Sequence, residues 1–296
     1  MLHFDKLNFK VKQILFIFHK MYITLDIGGT RCRIAYFSNL AKDSLIKVEH
    51  SDTANDYQAD MSKICGYIRN NISEPVHGIA MGIAGSLNAD KSMLNNSPNL
   101  SSWEGHDLKG EFTNEFSCPA FAENDTFMAA TGEAAFGGHH QDFWYINWGT
   151  GIGGSLVKIT DHDYQVIAAE PGHQIIVAQG LECRCGQRGC LESYTGGFAM
   201  EQLYHTAPEK MKWGQWKEVL TRMGHGLVNI LACSPTELVV FNGGVAFNQH
   251  EKIRMLADIL KEQLQIISMP EIKLSKLQDM AGLYGGIAYL KKALPA

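Results

Sequence analysis

Residues 22–37 read Y-I-T-L-D-I-G-G-T-R-C-R-I-A-Y-F. β-Branched and aromatic residues on both sides of Gly-Gly-Thr predict two antiparallel strands joined by a glycine hairpin. Residues 143–159, F-W-Y-I-N-W-G-T-G-I-G-G-S-L-V-K-I, repeat the arrangement of strand, glycine turn and strand. Two like hairpins in separate halves of the chain predict an internally repeated fold with a cleft between the halves.

Helices and strands alternate outward from these hairpins. Tyr57, Met61, Ile64 and Ile68 are spaced for one helix face, and V-H-G-I-A-M-G-I-A-G (76–85) reads as a buried strand. A helix over Leu108 to Phe116 precedes a short strand, C-P-A-F-A (118–122), and an alanine-rich helix within 123–137. Further helices are expected over Tyr194 to Tyr204, Trp213 to Leu231, through Ile259 and over 281–294. E-L-V-V-F-N-G-G-V-A (237–246) reads as a strand, a Gly-Gly turn and a helix start, and a further strand is expected near 272–277. The expected organisation is α/β, with an N-terminal domain over 21–122 and a C-terminal domain over 123–296 whose last helix packs back toward the first. Because Met21 immediately precedes the first strand pattern, residues 1–20 read either as an extension upstream of the true start or as an added helix packed on the surface, outside the core in both cases.

Composition excludes several classes. A formal net charge of -5 with no dense Lys/Arg stretch gives no field for a polynucleotide backbone. The apolar run Ile14 to Phe18 is too short to span a bilayer, and no small-residue cleavage site follows it, so neither a membrane anchor nor a secretion signal is expected. Seven cysteines, an odd number, with no signal peptide predict a reducing cytoplasm.

Three of the cysteines cluster in C-R-C-G-Q-R-G-C-L-E (183–192), and His173 stands ten positions upstream of the first. One imidazole and three thiolates from Cys183, Cys185 and Cys190 satisfy tetrahedral zinc with no open position, which makes the favoured reading a structural Zn2+ site. A redox centre would prefer C-x-x-C, and a disulfide would need an oxidising compartment. Such a site pins the loop that carries Glu170, His173 and Glu192. His173 can bind the metal through one ring nitrogen and a substrate hydroxyl through the other.

The two glycine turns, Gly28-Gly29-Thr30 and Gly149-Thr150-Gly151-Ile152-Gly153-Gly154, can fold around phosphate oxygens through backbone amides and threonine hydroxyls. Neither matches the lysine-bearing phosphate loop or the dinucleotide fingerprint. Asp26, at the end of the first strand, is placed to orient hydrated Mg2+ on a nucleotide, or simply to cap the turn. Asp125 opens the alanine-rich helix, where the dipole keeps a carboxylate ionised and ready to accept a proton from an alcohol; Asn124 can hold a neighbouring hydroxyl. A helix-capping role for this segment is the alternative.

L-D-I-G-G-T, P-N-L, E-N-D, G-T-G-I-G-G, E-x-G-H, C-R-C-G-Q-R-G-C-L-E and N-G-G together resemble the ROK family of sugar kinases, repressors and their relatives, from about Tyr22 to Leu290. The resemblance implies the actin-like ATPase fold, hexokinase-type and ribonuclease H-like, duplicated around a cleft. It implies that Asp125 is the catalytic base for a sugar 6-hydroxyl, with Asn99, Asn124, Glu170, His173 and Glu192 holding the sugar. Asp26, Gly28, Gly29, Thr30, Gly149, Thr150, Gly151 and Gly153 then serve the ATP phosphates and Mg2+, with Gly243 and Gly244 beside the adenosine. His173, Cys183, Cys185 and Cys190 become the zinc set.

The expected activity is ATP-dependent phosphorylation of a free hexose, with glucose slightly favoured because P-N-L-S-S-W (98–103) resembles glucokinase-like members. N-acetylglucosamine or N-acetylmannosamine is the alternative acceptor, and a non-catalytic sugar sensor is a weaker one. The resemblance allows a homodimer. A DNA-binding module ahead of the core, as in repressor members, would need more residues than precede Met21.

Overall fold

The computed structural model describes residues 20–295. The expected extension over 1–20 lies outside the described residues except for Lys20. In the first half, β1 (Met21–Ile27) and β2 (Arg31–Phe37) form the glycine hairpin, and β3 (Leu45–Asp52) adds to its edge. Then follow α1 (Tyr57–Asn71), β4 (Val76–Ile83), a small hairpin of β5 (Ser86–Leu87) and β6 (Leu94–Asn96), α2 (Leu108–Phe116), β7 (Ala120–Asn124) and α3 (Asp125–Phe136). The second half opens with β8 (Phe143–Trp148), β9 (Ile152–Ile159) and β10 (Tyr164–Ala169). After the cysteine loop come α4 (Glu192–Thr195), α5 (Gly197–Tyr204), α6 (Trp213–Cys233), β11 (Leu238–Asn242), α7 (Gly244–Asn248), α8 (His250–Gln263), β12 (Glu271–Leu274) and α9 (Ala281–Ala293).

The duplication is explicit in the strand order. One sheet runs β3-β2-β1-β4-β7 and the other β10-β9-β8-β11-β12. In each, a three-stranded antiparallel meander joins parallel strands through its first member. The central strands β1 and β8, and β11 beside β8, are almost wholly buried, as expected for strands covered on both faces. The edge strands β3 and β10 are not predicted from the sequence. β3 buries only Ser51 and β10 buries nothing; Leu45 and Val48 of β3 and Tyr164 and Val166 of β10 are half-buried against the core, and pairing with β2 and β9 completes their hold.

Helix starts follow local chemistry. The Asp56 and Asp107 side chains accept the free amides of Ala59 and Gly110 at the heads of α1 and α2. Tyr57, Met61, Ile64 and Ile68 face the first core, as the periodicity requires.

The first sheet continues through Asn124, so the expected division after Ala122 falls within β7. At the centre, α3 and α9 cross with backbones in contact. A β-carbon at Gly285 would collide with the Met128 carbonyl, and one at Gly132 with that of Ala281. Leu283, Ile287 and Leu290 of α9 pack with Tyr22, Phe37 and Ala80 of the first sheet, and Gly286 lets the helix settle on Thr24.

Candidate active site between the two halves

The turn after β1 is held from behind. Thr53 donates its hydroxyl to the Gly28 carbonyl at 2.7 Å and its amide to the Thr30 carbonyl at 3.2 Å, while Gly28 donates to Arg31 at 2.9 Å. Gly29 is required for a different reason: a β-carbon there would stand 2.9 Å from the Asn99 carbonyl oxygen. The P-N-L segment therefore rests directly on the first glycine turn. It is fixed by Ser97, whose hydroxyl donates to Ala84 at 2.6 Å and whose amide donates to Glu104 at 2.8 Å.

Asp26 is not solitary. Its Oδ2 accepts from Arg33, the residue opposite it in the hairpin register, and Arg33 also lies 3.5 Å from Asp279 just ahead of α9. Oδ1 of Asp26 remains the atom open to a hydrated cation. That donor set suits Mg2+, which takes one or two carboxylates and completes its shell with water and phosphate oxygens.

In the second turn the glycines divide into two kinds. At Gly151 the place of a side chain is taken by the Glu192 carboxylate, and at Gly153 by the Thr126 hydroxyl. The Ile152 amide donates to Glu192 Oε2 at 2.7 Å. Gly149, in contrast, faces the amide of Gly244 at 3.9 Å with nothing nearer, and no atom approaches the open side of Gly244. Gly243 holds φ 96°, which lets the chain turn tightly beneath Trp148. Space for a phosphate thus opens at Gly149 and Gly244.

Asn124 caps α3: its Oδ1 accepts the Thr126 and Phe127 amides at 2.9 and 3.1 Å, and its Nδ2 donates to Gly85 at 3.1 Å. One Nδ2 hydrogen is left for a ligand. Asp125 is the first helical residue and accepts the Thr126 amide through Oδ1 at 2.8 Å. Desolvation pushes its carboxyl up to about 6; the negative charges of Asp26 and Glu170 add to the rise, and the bonds from Thr126 oppose it. Glu170 is raised as well, by desolvation, with His173 lowering and Glu192 raising it. Four carboxylates and one imidazole therefore sense one another within a single cleft, an arrangement suited to cations, proton transfer and hydroxyl recognition.

The cysteine loop closes one side of that cleft. The ligand atoms of His173, Cys183, Cys185 and Cys190 all lie within 4.8 Å of one another. His173 Nδ1 is 3.7 Å from Cys183 Sγ, and Cys185 Sγ is 3.8 Å from Cys190 Sγ. Tetrahedral zinc with bonds of about 2.3 Å to sulfur separates its donors by about 3.8 Å, so the four groups fit that ion. Gly186 and Gly189, at φ 90° and 83°, make the reversals that fold the loop onto itself. Nδ1 of His173 faces the thiols, which leaves Nε2 for the cleft.

The sequence-predicted residues therefore gather in one region, while Asn124, Gly151 and Gly153 spend most of their capacity on protein contacts. Arg33, Thr53, Thr126 and Arg184 were missed. Arg33 could have been found by counting the hairpin register from the turn; Arg184 reaches Asn99 across 85 positions and leaves no local signal.

Comparison with known proteins adds the lineage. The model of the ROK family matches residues 22–293. The chain belongs to the ROK family. It is 30% identical over 214 residues to the glucokinase of Streptomyces coelicolor, a match covering 69% of this chain and 64% of that enzyme. This ROK chain thus spans a little under two thirds of that relative's length. The glucokinase of Thermotoga maritima is 26% identical over 320 residues, with coverage of 92% and 98%. Among solved structures, a ROK family glucokinase from Streptomyces griseus, in complex with glucose and AMPPNP, superposes with a TM-score of 0.73 at 22% identity, covering 92% of this chain and all of that one. The duplicated architecture is accordingly that of the ROK hexokinases, the actin-like ATPase fold. No helix among the described residues is long and apolar enough to cross a membrane.

Proposed function

We propose that this ROK protein is an ATP-dependent sugar kinase that phosphorylates the 6-hydroxyl of a free hexose, glucose ahead of the N-acetylhexosamines. The observation that carries the reading is Asp125: a carboxyl raised to about 6, at the first position of α3, whose next residue, Thr126, packs on Gly153 of the second glycine turn. A base is most effective when its pKa lies near the working pH, because it is then mostly ionised yet still basic. The glucokinases among its relatives support the choice of acceptor.

In this reading Asp125 takes the proton of the attacking hydroxyl. Oδ1 is anchored on the Thr126 amide, so Oδ2 is the atom that receives it. Asn99, Glu170, Glu192 and His173 Nε2 hold the remaining hydroxyls, and the free Nδ2 hydrogen of Asn124 supplies one more donor. Gly28, Gly29 and Thr30 face the phosphates from one half; Gly149 and Thr150 face them from the other, with Gly243 and Gly244 toward the nucleoside. Mg2+, held through Asp26, would neutralise charge on the transferring phosphoryl group. Zn2+, held by His173, Cys183, Cys185 and Cys190, would order the sugar wall and activate no water, since no coordination position is left open.

The test is ADP release from Mg-ATP with glucose, mannose, fructose, N-acetylglucosamine and N-acetylmannosamine, using full-length protein of measured zinc content. A single preferred sugar is the expected outcome. Equal inactivity toward the whole panel by folded, zinc-loaded protein overturns the proposal.

A further inference from the structure

Arg184 lies between two of the thiol ligands and is unused by the site described so far. Its Nη2 donates to Asn99 Oδ1 at 2.8 Å and approaches the Pro98 carbonyl at 3.5 Å. Its guanidinium carbon also sits 5.3 Å from the ring centre of Phe198, an exposed aromatic whose backbone amide donates to Thr150 at 3.0 Å. One side chain therefore spans the cleft, touching the cysteine loop, the P-N-L segment of the first half and the residue bonded to the second glycine turn.

The chemistry of the contact fixes an orientation. A guanidinium carries donors and no acceptor, so only the oxygen of the Asn99 carboxamide can face it. The amide nitrogen must then point away from Arg184. With one Oδ1 lone pair taken by Arg184, the side of Asn99 turned away from the guanidinium offers a ligand its two N–H donors, and a group presenting an oxygen lone pair is the partner those donors select. Without Arg184 the carboxamide could flip, because its two ends have nearly the same shape.

We infer that Arg184 is a positioning residue for the sugar, resting on the kinase reading above: it locks the Asn99 carboxamide with its donors toward the acceptor sugar and ties the cleft rim to the metal loop. Because Cys183 and Cys185 flank it, the order of that loop sets where the guanidinium sits. The energy is that of a charge-assisted hydrogen bond partly exposed to water, which corresponds to about a tenfold effect on binding.

The experiment compares wild type with Arg184→Ala, Arg184→Lys, Asn99→Ala and the Arg184→Ala/Asn99→Ala double variant, all full-length and of confirmed zinc content. For Arg184→Ala the expected result is a rise of about tenfold in the sugar KM, with kcat and the KM for ATP within about twofold. Arg184→Lys should recover part of the loss, and the double variant should match Asn99→Ala alone. Independent, multiplying effects of the two substitutions overturn the inference, as does a fall in kcat without a change in sugar KM. Amide hydrogen exchange of residues 96–100 in ligand-free protein reads the contact without any turnover. Faster exchange in Arg184→Ala is expected, and unchanged exchange overturns the contact. If wild type phosphorylates no sugar, the kinase reading has failed, and exchange alone still decides whether the lock exists.

Discussion

Asp26 stands close enough to Asp125 that its charge, after desolvation, is the largest influence raising the Asp125 carboxyl. The relationship links the two halves of the proposed reaction: the group that would hold the cation also makes the base more basic. Arg33 pairs with Asp26 Oδ2 on the other side of that carboxylate.

The acid limb of the pH profile for kcat/KM should follow from this. Asp125 must be ionised to accept a proton, so activity should fall below pH about 6, the value to which the carboxyl is pushed. Asp26→Asn removes the negative neighbour and should move the limb to lower pH, whatever it does to the maximal rate. Steady-state profiles of both proteins between pH 4.5 and 8 test this; a limb that stays in place in Asp26→Asn would remove Asp26 from the account.

Asp125→Asn should lose turnover by roughly 10²–10⁴-fold, the usual contribution of a general base, while sugar binding by calorimetry persists. It should also gain stability at neutral pH. The folded pKa lies above the ordinary aspartate value of 3.8, so ionising Asp125 destabilises the folded state as pH rises from about 4 to about 6, and above that window the cost is complete. Removing the charge relieves up to roughly 3 kcal/mol. Urea unfolding at pH 4 and pH 7.5 should show the gain only at the higher pH.

Metal content should be about one zinc per chain by elemental analysis, as a four-donor set predicts. Cys183→Ser or Cys185→Ser should bind it less tightly and raise the sugar KM more than the ATP KM, because the loop carries Glu192 and Arg184. Zinc present in the wild type and unchanged in both variants would exclude those thiols as ligands.

Two glycine-to-alanine changes should have opposite signs. Gly285→Ala drives a β-carbon into the Met128 carbonyl, which belongs to helix backbone and cannot swing aside, and should cost about 3 kcal/mol or more. Gly66→Ala, in the middle of α1 with nothing within 4 Å, should stabilise by about 0.5–1 kcal/mol. Urea denaturation of both measures the difference.

What could be read from the chain was whatever its neighbours in sequence determine. The two hairpins, the amphipathic spacing of α1 and the cysteine loop are local, and their residues state their places in the fold through spacing. β7 was misplaced by two residues because Pro119 cannot donate to a ladder, while Glu123 and Asn124 look like loop residues yet continue the strand; Glu123 is buried there against Lys91. β3 and β10 escaped because their few apolar residues, Leu45 and Val48 or Tyr164 and Val166, are only half-buried and stand among polar ones, and pairing with a neighbouring strand supplies the rest of the hold. The glycines of the second turn were all read as room for phosphate, yet Gly151 and Gly153 make room for Glu192 and Thr126. Such contacts depend on which chain segments meet, and no periodicity encodes that.

The crossing of α3 and α9 has a mechanical consequence. Gly132 and Gly285 bring the two backbones together like a bearing, and Asp125 sits seven residues from Gly132 along α3. At 1.5 Å per residue that is a lever arm of about 10 Å. A rotation of about 10° at the crossing would carry the Asp125 carboxyl by roughly 2 Å, the difference between a base in hydrogen-bonding reach of a hydroxyl and one beyond it. Were one half to swing on the other, the smallest residues in the protein would set the gearing that turns that swing into displacement at Asp125.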